Sequence, residues 1–367
     1  MVINILSTHR FHLLDIAREL SSQGHDVRFY SYVPKNRCVQ YGLNRNNCVC
    51  FFWLVCVFFV LGKLFKKNQN WQYKVIIYRN KIIDWYVSHT MRKCEVLIAL
   101  GCVYTSSIIK AKIDWNAITI LEWGSKHIIE QLKNLGRIDT YPKSQLDNDL
   151  NEYKIVDYIS IPAMHVKESF LKYGVPSEKL LVNPYGVNLH EFKPTECTEE
   201  FDLIAVGGWR YEKGADLLTD ICKKYGYKLL HVGPLVNMDF PDNSKMVHHD
   251  SVNQKELINF YKKARVFVLP SRSEGLSLVQ AQAIACGLPV VCSKETGGID
   301  LRNLLKDKRW VIEMQSFEEK DLHAAIEEAL ALSYTQKGLR DYTGMDISNL
   351  SWEAYGKRYS EKLKIIS

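Results

Sequence analysis

Glu274 and Gln282 sit in the most informative stretch of the chain, residues 265–298 (RVFVLPSRSEGLSLVQAQAIACGLPVVCSKETGG). Glu274 falls in a polar loop between an apolar run, residues 266–269, and a helix expected from about residue 277 to 286. Gln282 lies more than one turn inside that helix. A loop leading from the carboxyl end of a parallel strand into a helix presents unpaired backbone N–H groups and the positive end of a helix dipole. The amides near Ser277 and Leu278 therefore make an anion site, and both Glu274 and Gln282 can reach a ligand held over it. This is the chemistry of phosphate recognition. Taken alone, the pattern also describes any βα unit, so the rest of the chain has to agree with it.

The flanking residues define the elements. Ser277 with Gln280 three positions later is a capping-box pattern, and Gly287-Leu288-Pro289 stops the helix before a strand at 289–292. Earlier, residues 203–206 read as a strand, 207–214 (GGWRYEKG) as a loop, 215–224 as a helix, and 228–232 and 246–249 as strands. Residues 255–264 read as a helix. The first half follows the same alternation: strand 3–7, amphipathic helix 11–23, strand 26–32, helix 75–92, strand 96–100, helix 106–112, strand 117–121, helix 127–135, strand 157–161 and helix 164–173. This predicts an α/β protein with parallel sheets covered on both faces. The loop after the first strand, Thr8-His9-Arg10, lacks the GxGxxG pattern, so nothing points to NAD. Pro and Gly in NPYGVN (183–188) mark a domain boundary, and a polar-faced helix at 352–366 stands outside the alternation. Glu122 and His127, beside a strand end, are candidate site residues together with Arg10.

Charge is unevenly spread. The chain of 367 residues has a formal charge of +7, yet residues 1–112 alone hold 16 Lys and Arg against 5 Asp and Glu. A basic first third implies an anionic partner, either nucleic acid or a membrane surface. Residues 48–61 (CVCFFWLVCVFFVL) carry no charge and precede Lys63, Lys66 and Lys67. As a helix of about 21 Å they fall short of the roughly 30 Å hydrocarbon core. The aromatic density beside lysines favours a helix lying in a membrane interface over a buried one. The ten cysteines include no CxxC pair and no zinc-ligand spacing, which suits a reduced, cytoplasmic protein without a metal site. The first residues read as a strand, not as a secretory leader.

Three motifs in order carry a resemblance. NPYGVN followed by Phe192 and Pro194, VGGWRYEKGADLL, and YKKARVFVLPSRSEGLSLVQAQAIACGLPVV with Gly297 and Gly298 are similar to the donor half of retaining GT-B glycosyltransferases of the group-1, or family-4, type. The resemblance is close over about 183–300 and only in outline before it. It implies two Rossmann-like domains facing across a cleft. These would be an acceptor domain at 1–182, a nucleotide-sugar donor domain at 183–350, and a helix at 351–367 that crosses back. It implies catalytic roles for Arg210, Lys213 and Glu274, the cations on the leaving phosphate and the carboxylate on the sugar. Donor-binding roles fall to Gly208, Ser277, Leu278, Gln282 and Gly298. Gln282 departs from the pattern, because the family's E-x7-E segment has a carboxylate there for the ribose hydroxyls. A neutral amide bonds hydroxyls less strongly, so weaker donor binding is expected. The resemblance implies no cofactor, since the nucleotide-sugar is a substrate, and no metal. The partners expected are that donor, a glycan or lipid-linked acceptor and an anionic membrane surface, with no nucleic acid. The alternative is a catalytically weak GT-B-like subunit that binds nucleotide or serves as a scaffold.

Overall fold

The structure, a computed structural model, describes residues 1–66, 68–194, 196, 198–335 and 346–366. It divides into two units. The first comprises Met1–Ile161, Lys167–Asn183 and Gly356–Ser367, and the second Pro162–Val166 and Pro184–Tyr355.

The first unit is built on seven parallel strands: β1 (Val2–Leu6), β2 (Asp26–Ser31), β3 (Cys48–Cys50), β4 (Val96–Leu100), β5 (Ile118–Glu122), β6 (Tyr158–Ile161) and β7 (Leu180–Val182). Their order is β3-β2-β1-β4-β5-β6-β7. Runs such as VINIL, VLIAL and ITILE are mostly apolar because helices cover both faces of such a sheet, and the polar residues among them, Asn4, Thr119 and Glu122, are buried. The helices are α1 (Phe11–Ser22), α2 (Lys35–Gln40), α3 (Phe52–Leu64), α4 (Gln69–Thr90), α5 (Thr105–Trp115), α6 (Ile128–Asn134), α7 (Lys143–Ile155) and α8 (Met164–Lys172), the last shared in sequence with the second unit.

The second unit has six parallel strands: β8 (Phe201–Val206), β9 (Leu229–Val232), β10 (Met246–His249), β11 (Ala264–Leu269), β12 (Val290–Cys292) and β13 (Val311–Glu313), ordered β10-β9-β8-β11-β12-β13. With them come α9 (Ala215–Tyr225), α10 (Ile258–Tyr261), α11 (Leu278–Ala285), α12 (Gly298–Arg302) and α13 (Glu319–Tyr334), while α14 (Trp352–Ile366) starts in this unit and belongs to the first from Gly356 onwards. In each sheet the strand order reverses at one place, between β1 and β4 and between β8 and β11. Ligands of open parallel sheets settle beyond the carboxyl ends of the strands at that reversal.

Several expected elements change shape. The apolar run 48–61 is not one helix. Its first three residues pair with β2 as an edge strand, Phe29 opposite Cys48 and Ser31 opposite Cys50, and α3 starts only at Phe52. Neither is α3 a core helix. Val55 is its one buried residue, whereas Phe52, Trp53, Val57, Phe59, Val60 and Leu64 are exposed. Phe51, just before it, is fully buried. The stretch 255–264 breaks into a 3₁₀ turn (Gln254–Glu256) and the one-turn α10, because Ala264 is drawn into β11. Nor does a capping box form at α11. Ser277 is the N-cap without a side-chain bond, and Gln280 instead donates to the Thr296 carbonyl at 2.9 Å.

Candidate functional site

The loops after β8 and β11 flank the reversal in the second sheet, and they carry the predicted catalytic residues. After β8 the chain runs through Gly207 and Gly208 into a 3₁₀ turn, Tyr211–Lys213, with Arg210 at its N-cap. Gly214 follows with φ +74. A Cβ there would lie 2.3 Å from the Pro270 carbonyl oxygen, so only glycine lets this turn lie against the end of β11. Across the contact, Lys213 Nζ forms an ion pair with Glu274 Oε1, both side chains being less than one-fifth exposed. Ser271 Oγ lies 2.9 Å from the same carboxylate oxygen and 2.9 Å from the Glu212 carbonyl.

Arg210, whose carbonyl accepts from the Lys213 N–H at 3.0 Å, is half-buried, and its Nε is buried without a hydrogen-bond partner. A guanidinium nitrogen left bare costs free energy unless a ligand or water meets it. Arg272, which the sequence reading did not single out, braces the arrangement. Its guanidinium bonds both carboxylate oxygens of Asp216 at 2.8 and 2.7 Å and the Tyr211 carbonyl at 2.6 Å, and it covers the Tyr211 ring at 3.9 Å. A planar fork that joins a helix, a turn and a loop fixes their mutual geometry in a way lysine cannot. The SRSEG motif held the signal, since an arginine two residues from a functional carboxylate has either a ligand or a loop to hold.

The donor-side candidates fall into two groups. Leu278 is exposed at the start of α11, and Ser277, its N-cap, is 8% exposed. Gly298 is packed so tightly that a Cβ would lie 2.2 Å from Cys292 Sγ. Gln282 turns inward. It is 6% exposed, and its Oε1 lies 3.2 Å from the hydroxyl of fully buried Tyr261. A carboxylate at this position would be desolvated, so Gln282→Glu carries a stability cost that the sequence alone does not show.

The acceptor-side candidates do not form one cluster. Arg10 stacks on Tyr41, 3.8 Å from the ring centroid. Glu122, at the end of β5 and 1% exposed, meets His12 Nε2 at 2.8 Å through one oxygen and accepts from the Tyr359 hydroxyl at 2.6 Å through the other. It lines a cavity of about 400 Å³ beyond β4 and β5, with Tyr73, Trp123, Ser125, Gln131 and Arg137. Cys102, which also lines the cavity, adopts φ +71 and donates its N–H to Glu152 Oε2 at 2.7 Å. Burial pushes the Glu152 carboxyl up to about 8.

His127 is a core residue. It is 3% exposed, its ring stacks on Tyr173 at 4.5 Å and also touches Tyr153 and Phe170, and its Nδ1 has no partner. Burial lowers its pKa to about 4. Between that value and the ordinary 6.5 the unfolded chain binds the proton and the folded one does not. The stability present above pH 6.5 is therefore lost as pH falls towards 4, by up to about 1.4 kcal/mol per pH unit. His127→Phe is expected to flatten the acid limb of a melting-temperature profile in this window and to leave nucleotide binding unchanged. A melting-temperature profile that keeps its acid limb in the Phe variant would show that the buried ring is not its cause.

Residues 188–343 match the family described as glycosyl transferases group 1. Among curated proteins, an uncharacterised glycosyltransferase of Methanocaldococcus jannaschii is 26% identical over 167 residues, which cover 44% of this chain and 40% of that protein. The capsular polysaccharide biosynthesis glycosyltransferase CapM of Staphylococcus aureus is 24% identical over 302 residues, covering 77% of this chain and 67% of that protein. The matches thus span from 40% to 67% of the length of these relatives. Among solved structures, sucrose-phosphate synthase from Thermosynechococcus elongatus superposes with a TM-score of 0.67 at 15% identity, covering 100% of this chain and 99% of that one. The Anabaena HepE protein in complex with UDP and glucose superposes with a TM-score of 0.64 at 12% identity, covering 99% of each chain. The α/β architecture is that of the GT-B fold seen in these solved structures, and residues 188–343 are similar to the group 1 glycosyl transferases.

Proposed function

We propose that the protein transfers a sugar from a nucleotide-diphospho-sugar to a glycan or glycolipid acceptor carried on a lipid, at a membrane surface and with retention of anomeric configuration. The observation that carries this reading is the meeting of Lys213 and Glu274, one from each loop flanking the reversal of the second sheet. Cleaving the anomeric C–O bond leaves negative charge on the β-phosphate and positive charge on the sugar. Arg210 and Lys213 stabilise the first and Glu274 the second. Without donor, Lys213 and Glu274 neutralise one another. Donor binding exchanges the carboxylate partner of Lys213 for a phosphate oxygen and frees Glu274 for the sugar hydroxyls. Retention then comes from attack on the face the phosphate leaves, with that phosphate taking the acceptor's proton, so no separate base is assigned. Since the two cations meet the phosphate charge, turnover is expected to persist in excess chelator, and its loss there would assign that charge to a metal ion.

The acceptor is assigned to the first unit, with its sugar in the cavity lined by Glu122 and Trp123. The lipid assignment rests on α3 and α4. They carry Trp53, Val60, Leu64, Tyr78 and Trp85 together with Lys63, Lys74 and Lys81, all exposed, and exposed Lys66 lies between the two helices. Lys67 lies outside the described residues. The one acid between residues 52 and 90, Asp84, is buried under bonds from Ser106 and Ser107. Among the described residues no helix is long and apolar enough to cross a membrane, so the hairpin would lie on the surface.

A thermal-shift series with UDP-, GDP-, ADP- and dTDP-sugars tests the donor. A ligand at 100 times its Kd stabilises by about 2.7 kcal/mol, and no shift with any of them would sink the reading. The inward bond of Gln282 favours one second reading, a subunit that binds nucleotide and does not turn over. Binding without sugar transfer to any lipid-linked acceptor would select it.

A further inference from the structure

His231 occupies the third position of β9 and is 1% exposed. A polar ring at such a place costs free energy unless its nitrogens are bonded. Both are. Nε2 lies 2.8 Å from the Gly207 carbonyl oxygen, and Nδ1 lies 3.0 Å from Nδ1 of His248 on β10. A carbonyl only accepts, so Nε2 of His231 carries the proton. Its Nδ1 is then the acceptor, and His248 donates from its own Nδ1. One backbone oxygen thereby sets the tautomers of both rings. Trp209 and Phe240 pack against His231 at centroid distances of 4.8 and 5.8 Å and hold the ring plane. Burial lowers the His231 pKa to about 4, so the ring stays neutral at ordinary pH.

The effect of this bond falls on the next peptide. The described chain has no cis peptide, and in a trans peptide the carbonyl and the following N–H point to opposite sides. With the Gly207 oxygen held against His231, the Gly208 N–H is turned away from it. That N–H makes no hydrogen bond to any described residue. Gly233 fixes the carbonyl from the other side. It has φ +149, and a Cβ on it would lie 2.0 Å from the Gly207 oxygen. The carbonyl is thus fully committed while the amide behind it, in the loop that carries Arg210 and Lys213, is left available.

We propose that His231 and His248 are positioning residues for the donor loop: they orient the peptide between Gly207 and Gly208 so that the Gly208 N–H is presented to a phosphate oxygen of the nucleotide diphosphate. This rests on the donor reading above. Neither histidine touches the substrate.

The test compares a nucleoside diphosphate with its own nucleoside, since only the former contains the group that the amide would meet. UDP, GDP, ADP and dTDP are titrated into the full chain, each against its nucleoside, and the tightest pair is carried forward. His231→Leu removes both bonds and keeps an apolar side chain. It is expected to weaken the diphosphate by about 5- to 20-fold, the worth of about one or two hydrogen bonds, with nucleoside affinity held within twofold. His231→Gln, whose amide can donate to Gly207 again, is expected to recover most of that loss. If His231→Leu does not fold, His248→Phe breaks the same chain from its half-buried end, and a selective loss of diphosphate affinity is again expected. Equal weakening of diphosphate and nucleoside, or no weakening, overturns the positioning role alone. Absence of diphosphate binding in the unaltered protein overturns the donor reading and this proposal with it.

Discussion

Alanine at Arg210 or at Lys213 is expected to lower kcat/KM for sugar transfer by about 10²- to 10³-fold, roughly 2.7–4 kcal/mol of transition-state stabilisation, the effect of removing one preorganised electrostatic group. Glu274→Gln should depress kcat more than donor affinity, because its charge is needed only as the sugar becomes cationic. The ion pair between Lys213 and Glu274 adds a sharper expectation. Removing Lys213 strands a partly buried carboxylate, so the two substitutions share a cost and the double variant should lose much less than the product of the single losses. Arg210 meets the same phosphate as Lys213, so those two losses should also combine to less than their product. Wild-type rates in all three single variants would remove this site from the mechanism, and full additivity would show that the pair has no joint role.

The second large effect concerns the helical hairpin. Trp53 and Leu64 on α3 are 64% and 72% exposed, and they support no core. Replacing both with serine should lower partitioning onto anionic vesicles by about 10²- to 10³-fold, since burying two large apolar side chains contributes about 3–5 kcal/mol. The melting temperature should stay nearly constant. The lysines act separately. Their attraction, about 1 kcal/mol each near an anionic surface, should fade as salt rises, whereas the apolar part survives. Unfolding of the double serine variant would make the helix part of the core. Unchanged vesicle binding would end the membrane assignment and leave the donor site as it stands.

The sheets, the two switch-point loops and the ion-paired residues were legible because they depend on local signals. A continuous β-branched run, a glycine where the backbone approaches closely and a polar loop before a small-residue helix all appear within about ten residues of one another. What escaped depends on partners distant in sequence. Gln280 caps nothing because the Thr296 carbonyl reaches it first, and Gln282 turns to Tyr261. The run 48–61 has no period, and periodicity alone cannot divide a uniformly apolar stretch into a strand and a helix. Residues 143–155 (KSQLDNDLNEYKI) are too polar to read as a packed helix, yet α7 buries Asp149 and Glu152 behind the cavity of the first unit. His231 gave no signal at all. A lone histidine in an apolar strand is most often a satisfied core residue, and only the Gly207 carbonyl shows what it holds.

The hairpin has one further consequence, for spectroscopy. The sequence contains eight tryptophans, and those among the exposed large hydrophobic residues are Trp53, Trp71 and Trp85, all on α3 and α4. Indole emission moves to shorter wavelength when the ring leaves water, whereas rings already enclosed, such as Trp123 and Trp209, report little of that change. The most exposed indoles of the unlabelled protein are therefore those of these two helices. If the hairpin binds a bilayer as proposed, lipids carrying bromine at graded depths along their chains would quench these rings in proportion to their penetration, and single Trp→Phe variants at the three positions would convert that quenching into the tilt of the hairpin.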